Sequence, residues 1–315
     1  MTTLGMKFLP VPRLALNILL IFCVVGFLTS QMIAGPATTA QIANISTRIR
    51  CEKRDAVVVT EFAVQGTGTK YVILRALGPT LGHNGVKHAL HNPTLMLLDD
   101  QGNILDRNDD WVDSPDKDAI IATGIPPPDD RESAIVYTLS PGIVYTSVER
   151  GVHLETGIAL AEVYDLQASD PSTVISAIGT RGEVLAGDDV LISGTILTGT
   201  SPVEILIRVL GPSLTAAGIS HALPDPLLEL HGTNGEIIAI NDNWRETQEA
   251  EIIATGLPPD NDLESALIAT LPPGAYTTVV RGVNDTAGIG FVQYYSLAVP
   301  VPGPELNPAP IPPRR

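Results

Sequence analysis

The chain has 315 residues, 44% of them hydrophobic, 17% charged and 4% aromatic, and glycine and proline together occupy 54 positions. So many helix breakers exclude a coiled coil or long-helix protein, and the hydrophobic fraction excludes a disordered chain; many short strands joined by turns are expected instead, in about two domains. The net charge of −16 argues against a surface that grips phosphate backbones, so no nucleic-acid partner is expected.

The amino terminus reads as an address. Lys7 and Arg13 precede an uncharged run from Leu14 to Leu28, and small or polar residues follow to Ala40. This layout predicts a secretory signal peptide over residues 1–40, cleaved after Ala34 or Ala40. The apolar run is shorter than the roughly 20 residues a spanning helix needs; retention as an anchor is the alternative. The expected location is secreted, periplasmic or at the cell surface, with no membrane contact once the signal is removed. Removal takes away two basic and no acidic residues, leaving 17 basic against 35 acidic and a net charge of −18. Cys51 is then the only cysteine, so no intramolecular disulfide forms in the mature chain; an inert, partly buried thiol is expected, with pairing between chains as the alternative.

The remainder is one unit written twice. The chain matches itself at an offset of 133 residues that shrinks to 131 as single-residue insertions are passed. YVILRALGPTL (71–81) matches EILIRVLGPSL (204–214), and NDDW (108–111) matches NDNW (241–244). IIATGIPPPDDRESA (120–134) matches IIATGLPPDNDLESA (252–266), and RGVHLETGIALAEVYDL (150–166) matches RGVNDTAGIGFVQYYSL (281–297). The copies cover 41–168 and 173–299, joined by QASDPS. A unit this long exceeds the 20–45 residues of a solenoid repeat, so each copy is expected to be a domain.

Within the first copy, β-rich runs bounded by Gly, Pro, Asn and Asp predict strands near 42–48, 56–64, 70–77, 94–99, 103–107, 133–139, 143–150 and 157–165. Without long helices between them, they imply an all-β protein of two tandem homologous antiparallel β-sandwiches, jelly-roll or immunoglobulin-like. TLGHNGVKHAL (80–90) reads as a loop with a helical turn, and PDKDAIIATG and TQEAEIIATG as short helices closed by Gly124 and Gly256. The last 16 residues, 300–315, hold seven prolines and predict an extended, solvated tail.

Several residues are candidates for chemistry. Asn108, Asp109 and Asp110 lie one loop ahead of Asp130 and Glu132, and the second copy repeats the set as Asn241, Asp242, Asn243, Asp262 and Glu264. Calcium takes six to eight oxygen ligands of this kind, so each set is a candidate calcium site; the alternative is that these side chains cap turns. No other cofactor is expected. Arg75 and Arg208 interrupt apolar strands and need buried partners; Glu132 and Glu264 are the expected ones, with Arg150 and Arg281 competing for them. Trp111 and Trp244 are the only tryptophans and occupy the same place in both copies. They are candidates for stacking on sugar rings, or plugs at the end of the core. His83, His88 and His91 are spaced like metal ligands, but the second copy keeps only His221, which weakens zinc. Neither a nucleophile elbow, a zinc-protease helix, a phosphate loop nor a C-x-x-C is present.

The series R-x-L-G-P-[ST]-L, N-D-[DN]-W, A-T-G-[IL]-P-P, D-x-E-S-A, P-G and V-x-R-G resembles a tandem repeat of large exported bacterial proteins. The resemblance spans both copies and implies an extracellular β-sandwich without an established activity. The first copy departs from it at RCEKRD (50–55), where the second has EVLAGD, so an altered first hairpin is expected. The combined reading is a non-enzymatic surface, matrix or adhesion module with an extracellular glycan or protein partner. The alternatives are a carbohydrate-binding module and a glycan hydrolase using loop carboxylates.

Overall fold

The computed structural model describes residues 38–298 and 305–306. The predicted signal segment, apart from its last residues, and most of the tail lie outside the described residues. The first repeat forms β1 (Gln41–Cys51), β2 (Val58–Gly66), β3 (Lys70–Leu77), β4 (Pro93–Leu98), β5 (Ile104–Asn108), β6 (Ser133–Leu139), β7 (Val144–Gly151) and β8 (Gly157–Asp165). The second forms β9 (Thr173–Val184), β10 (Leu191–Thr198), β11 (Val203–Leu210), β12 (Pro226–His231), β13 (Ile237–Asn241), β14 (Ser265–Leu271), β15 (Gly274–Gly282) and β16 (Gly288–Ser296). Among the described residues the α-helices are α1 (Pro79–His83), α2 (Lys117–Ala122) and α3 (Glu249–Ala254). The protein is therefore all-β and nearly all antiparallel, as its composition and its turn-bounded β-rich runs predict.

Alternation along each strand decides which side meets the core. In β1, Ile45, Ile49 and Cys51 point into the main apolar cluster, while Asn44, Ser46 and Arg48 point the other way. The inward residues of β2, β3, β4, β7 and β8 (Phe62, Leu74, Leu97, Tyr145 and Val163) join the same cluster, as do Leu191, Ile207, Leu230 and Tyr294 from the second repeat. One interior thus runs through both copies.

The pairing explains this. The strands hydrogen-bond in two runs of eight, β6-β3-β8-β1-β10-β15-β12-β13 and β14-β11-β16-β9-β2-β7-β4-β5. Each run takes four strands from each repeat. The expected first hairpin is absent: β1 pairs with β8 and β10, β2 pairs with β7 and β9, and the segment between β1 and β2 crosses from one run to the other. β1 and β9 also touch in parallel, Ile42 beside Ile175 and Arg50 beside Glu183, so residues meet their own counterparts, as a pseudo-two-fold axis along the strands requires. On that axis Thr47 Oγ1 donates to Thr180 Oγ1 at 3.0 Å, and Ser193 and Thr60 extend the hydroxyl chain at 3.0 and 3.1 Å. All four residues are buried, and each hydroxyl finds a partner, which removes the penalty of placing them there.

Two glycine pairs serve local geometry. A Cβ on Gly78 or Gly211 would lie 2.2 Å from the carbonyl oxygen of Leu90 or Leu223, so the G-P turn admits no side chain. Gly124 and Gly256 adopt φ of 78° and 74° after α2 and α3, the left-handed C′ position expected of them. Cys51 is fully buried and its thiol is pushed up to about 12 by burial, which makes it inert as expected.

Because β1 and β2 find half their hydrogen bonds in the other repeat, residues 41–168 expressed alone would expose two long open edges. They are expected to aggregate or self-associate by gel filtration with light scattering. A monomer of 41–168 with a cooperative melt would contradict the exchange.

Candidate functional site

The residues that both repeats share converge at one place in each copy. Asn108, at the end of β5, accepts the amide of Ala134 through Oδ1 at 2.9 Å and donates to the carbonyl of Asp110 at 3.3 Å. Trp111 donates its indole N–H to the carbonyl of Asp129 at 3.1 Å, and its backbone N–H to Glu132 at 2.9 Å. Glu132 Oε1 accepts the amides of Gly78 and Thr80 at 3.1 and 2.8 Å, and Oε2 accepts the Thr80 hydroxyl at 2.8 Å and the Asp129 amide at 3.3 Å. Ser133 donates to the carbonyls of Pro93 and Asp109 at 2.6 and 2.5 Å.

The second copy repeats the clasp. Asn241 accepts from Ala266 at 2.8 Å, Trp244 donates to Asn261 at 3.2 Å, and Glu264 accepts from the amides of Gly211, Ser213 and Asn261 and from the Ser213 hydroxyl at 2.5 to 3.3 Å. Ser265 bonds the carbonyls of Pro226 and Asp242. The carboxylate thus satisfies the amides of the G-P turn, and its neighbours tie the N-D-x-W loop to the D-x-E-S-A loop.

This disposes of the expected pairing of Arg75 with Glu132 and Arg208 with Glu264. Register sets the true partners: Arg75 stands opposite Glu162 on β8, and Arg208 opposite Gln293 on β16. Arg75 Nε donates to Glu162 Oε2 at 2.8 Å, its Nη2 also contacts that oxygen, and Nη1 donates to the carbonyl of Ile125 at 2.9 Å. Ser46 and the Tyr164 hydroxyl complete Glu162 at 2.8 and 2.9 Å, with Tyr164 5.2 Å beneath the guanidinium. Glu132 was out of reach because its carboxylate is turned to the Gly78 and Thr80 amides.

Several members of the expected calcium sets are held elsewhere or exposed, while Oδ1 of Asp110 and Oδ1 of Asp242 are buried without a hydrogen-bond partner. Asn108, Glu132, Asn241 and Glu264 spend their oxygens on the backbone, Asp130 is exposed, and exposed Asp262 pairs with Arg245 at 2.6 Å. Asp110 and Asn243 form the loop just ahead of each Trp and give their carbonyls to Asn108 and Asn241. Among the described residues, no group of three or more His, Cys, Asp or Glu converges to hold a metal ion. The copies do differ here: with its amide oriented to donate, Asn92 reaches Asp109 Oδ1 at 3.3 Å, whereas the second copy has Asp225 at that position. Burial, with help from Asp225, pushes the Asp242 carboxyl above its usual range.

The tryptophans are not stacking platforms. Trp111 is 8% exposed and Trp244 1%, and cations sit over the rings, Lys117 at 5.9 Å and Arg245 at 4.1 Å. Trp111 packs with Ile73, Ile120, Ala134 and Val136, and Trp244 belongs with Leu206, Ile252 and Ala266, so each closes the apolar layer between a short helix and the outer sheet face.

Three features escaped the sequence. Glu162 and Gln293 fill the same column of the repeat, but only strand register shows them opposite the arginines. Glu149 stands in β7 where the second copy has Val280, facing Val58 and Leu95, buried at 2% exposure with Oε2 unpartnered. Burial, then the charge of Glu162, raises its pKa well above the usual carboxylate range. Finally, two tail residues are docked rather than solvated: Glu305 Oε1 meets Arg208 Nη2 at 2.9 Å, and Leu306 is fully buried.

No protein-family profile matches the chain, and no curated protein matches it. Among solved structures it is similar to a DUF4785 family protein from Legionella pneumophila, with 10% identity over 86% of each chain and a TM-score of 0.23. A likeness that remote carries no argument about fold or function.

Two substitutions test the site. Glu264→Ala strands the amides of Gly211, Ser213 and Asn261, so a loss of about 3 kcal/mol or more is expected in chemical denaturation, against about 0.5 kcal/mol or less for exposed Asp130→Ala. Glu149→Val should stabilise the fold. Unfolded Glu149 ionises near its ordinary pKa of about 4.3, while burial holds the folded group's pKa well above that, so wild-type stability falls as pH rises from that value toward the folded one. The gain from Glu149→Val is therefore larger at pH 8 than at pH 5; a pH-independent difference would contradict the protonated, buried acid.

Proposed function

We propose that the chain is a non-enzymatic, exported module of the bacterial surface or matrix, in which two repeats sharing one interior act as a rigid spacer or adhesive unit toward an extracellular glycan or protein. The observation that supports this most is that the shared motif residues of both copies are consumed by internal bonds: Glu132 and Glu264 take four donors each, and both tryptophans are sealed in the core. The duplication has preserved a way of holding loops together. The signal-like amino terminus, the acidity and the resemblance to tandem repeats of exported proteins point the same way.

Loops stapled in this way are expected to fold without a cation. The midpoint of thermal unfolding is expected to agree within about 1 °C between excess calcium and excess chelator, because a ligand bound only to the native state would raise it. A rise of several degrees with calcium would restore the calcium reading. For the module as a whole, mature protein is expected to bind immobilised surface polymers or matrix proteins without turning them over. Hydrolysis of a glycan or peptide panel that disappears with Asp109→Asn would overturn the non-enzymatic reading.

A further inference from the structure

The two repeats neutralise the same buried arginine in different ways. In the first, β8 supplies Glu162 to Arg75. In the second, the corresponding residue is the neutral Gln293, whose Oε1 accepts from Arg208 Nε at 2.9 Å. Arg208 is 1% exposed, and it also donates to the carbonyl of Leu257 and to the Tyr295 hydroxyl at 2.9 and 3.0 Å, none of which carries a negative charge. A guanidinium buried among neutral acceptors is costly, and its carboxylate comes from Glu305, 97 positions away in the chain.

We propose that the cleft of Arg208, Gln293 and Tyr295 is a peptide-recognition site whose ligand is an extended segment carrying glutamate followed by leucine, and that the chain's own tail is its resident ligand. Arg208 Nη2 reads the acidic side chain at 2.9 Å. Gln293 Nε2 donates to the carbonyl of Leu306 at 2.8 Å, and the Leu306 amide donates to the Tyr295 hydroxyl at 3.2 Å, so both backbone polar groups of that residue are held. The Leu306 side chain joins the apolar cluster of Ala63, Ala177, Leu206 and Tyr295, which draws on both repeats. Gln293 is fully buried and Tyr295 is 1% exposed, and the Tyr295 hydroxyl is pushed up to about 12, mainly by burial, so it remains a neutral acceptor for the amide.

The side chains that hold Glu305 and Leu306 stand on β11 and β16, so the tail adds a charge and one apolar side chain to residues that the sheet positions. In the first repeat Glu162 holds the place of Gln293 and already pairs with Arg75, so an incoming glutamate there would meet a like charge. The first repeat is thus self-sufficient, and the second recruits.

A double-mutant cycle in the full chain tests the charge logic. Glu305→Gln is expected to lower the midpoint of thermal unfolding by about 3 °C or more in the wild-type background. In the Gln293→Glu background, which imports the first repeat's carboxylate, the same change is expected to cost about 1 °C or less. Equal losses in both backgrounds, or none in wild type, would overturn the proposal. Recognition is tested on a chain that has folded with its tail in place: a specific protease site is inserted between Val301 and Pro302, cut after purification, and the tail removed by dilution. A labelled peptide of residues 303–310, GPELNPAP, is expected to bind the cut protein. Peptides with Gln for Glu305 or Ala for Leu306 should bind at least about tenfold more weakly, a factor corresponding to about 1.4 kcal/mol. No binding of the parent peptide, or equal binding of all three, sinks the recognition site.

Discussion

An unpaired strand edge must find partners, and the whole arrangement follows from where β1 and β2 find theirs. Each sends one edge to its own repeat and the other to the second copy, and β9 and β10 return the exchange. Two sequence repeats thereby become two continuous sheets that share one interior, with the hydroxyls of Thr47 and Thr180 meeting on the axis between them. The edges that would otherwise lie open between two separate sandwiches are used up, which is the common way for β-proteins to avoid association at such sites.

With the sheets fixed, the outer faces need covers, and the repeated motifs provide them. The N-D-x-W loop and the following short helix lie over the outer face, and Glu132 or Glu264 anchors the return loop to the G-P turn. Arg75 and Arg208 reach the carbonyls of Ile125 and Leu257 just after the helix-ending glycines, which ties R-x-L-G-P to A-T-G-[IL]-P-P. Motifs that look like candidate chemistry therefore act as a set of reciprocal caps, with each carboxylate holding several donors from the loops around it.

Differences between copies carry more information than likenesses. Glu149 for Val280, Asn92 for Asp225 and Glu162 for Gln293 each change where a charge sits. The first places an acid in the core, the second sets two carboxyls near one another, and the third leaves Arg208 to be neutralised by the tail. A tail rich in proline looks solvated by composition, yet one glutamate and one leucine within it find a cationic and apolar seat.

Strand positions, the duplication, the glycine-capped helices and the inert Cys51 were legible in the chain because each depends on local pattern: β-rich runs between turn residues, self-similarity, left-handed caps and a single cysteine. The partners of Arg75 and Arg208, the exchange of β1 and β2, and the docking of Leu306 were not. They depend on register and on contacts between residues far apart in sequence, and a one-residue slip of register would face every side chain the other way. The amino-acid sequence by itself determined a duplicated antiparallel β-protein and the residues that must be satisfied when buried. Only the tertiary structure decided which group satisfies each one, because a buried charge takes the nearest partner in space and local sequence does not encode that distance.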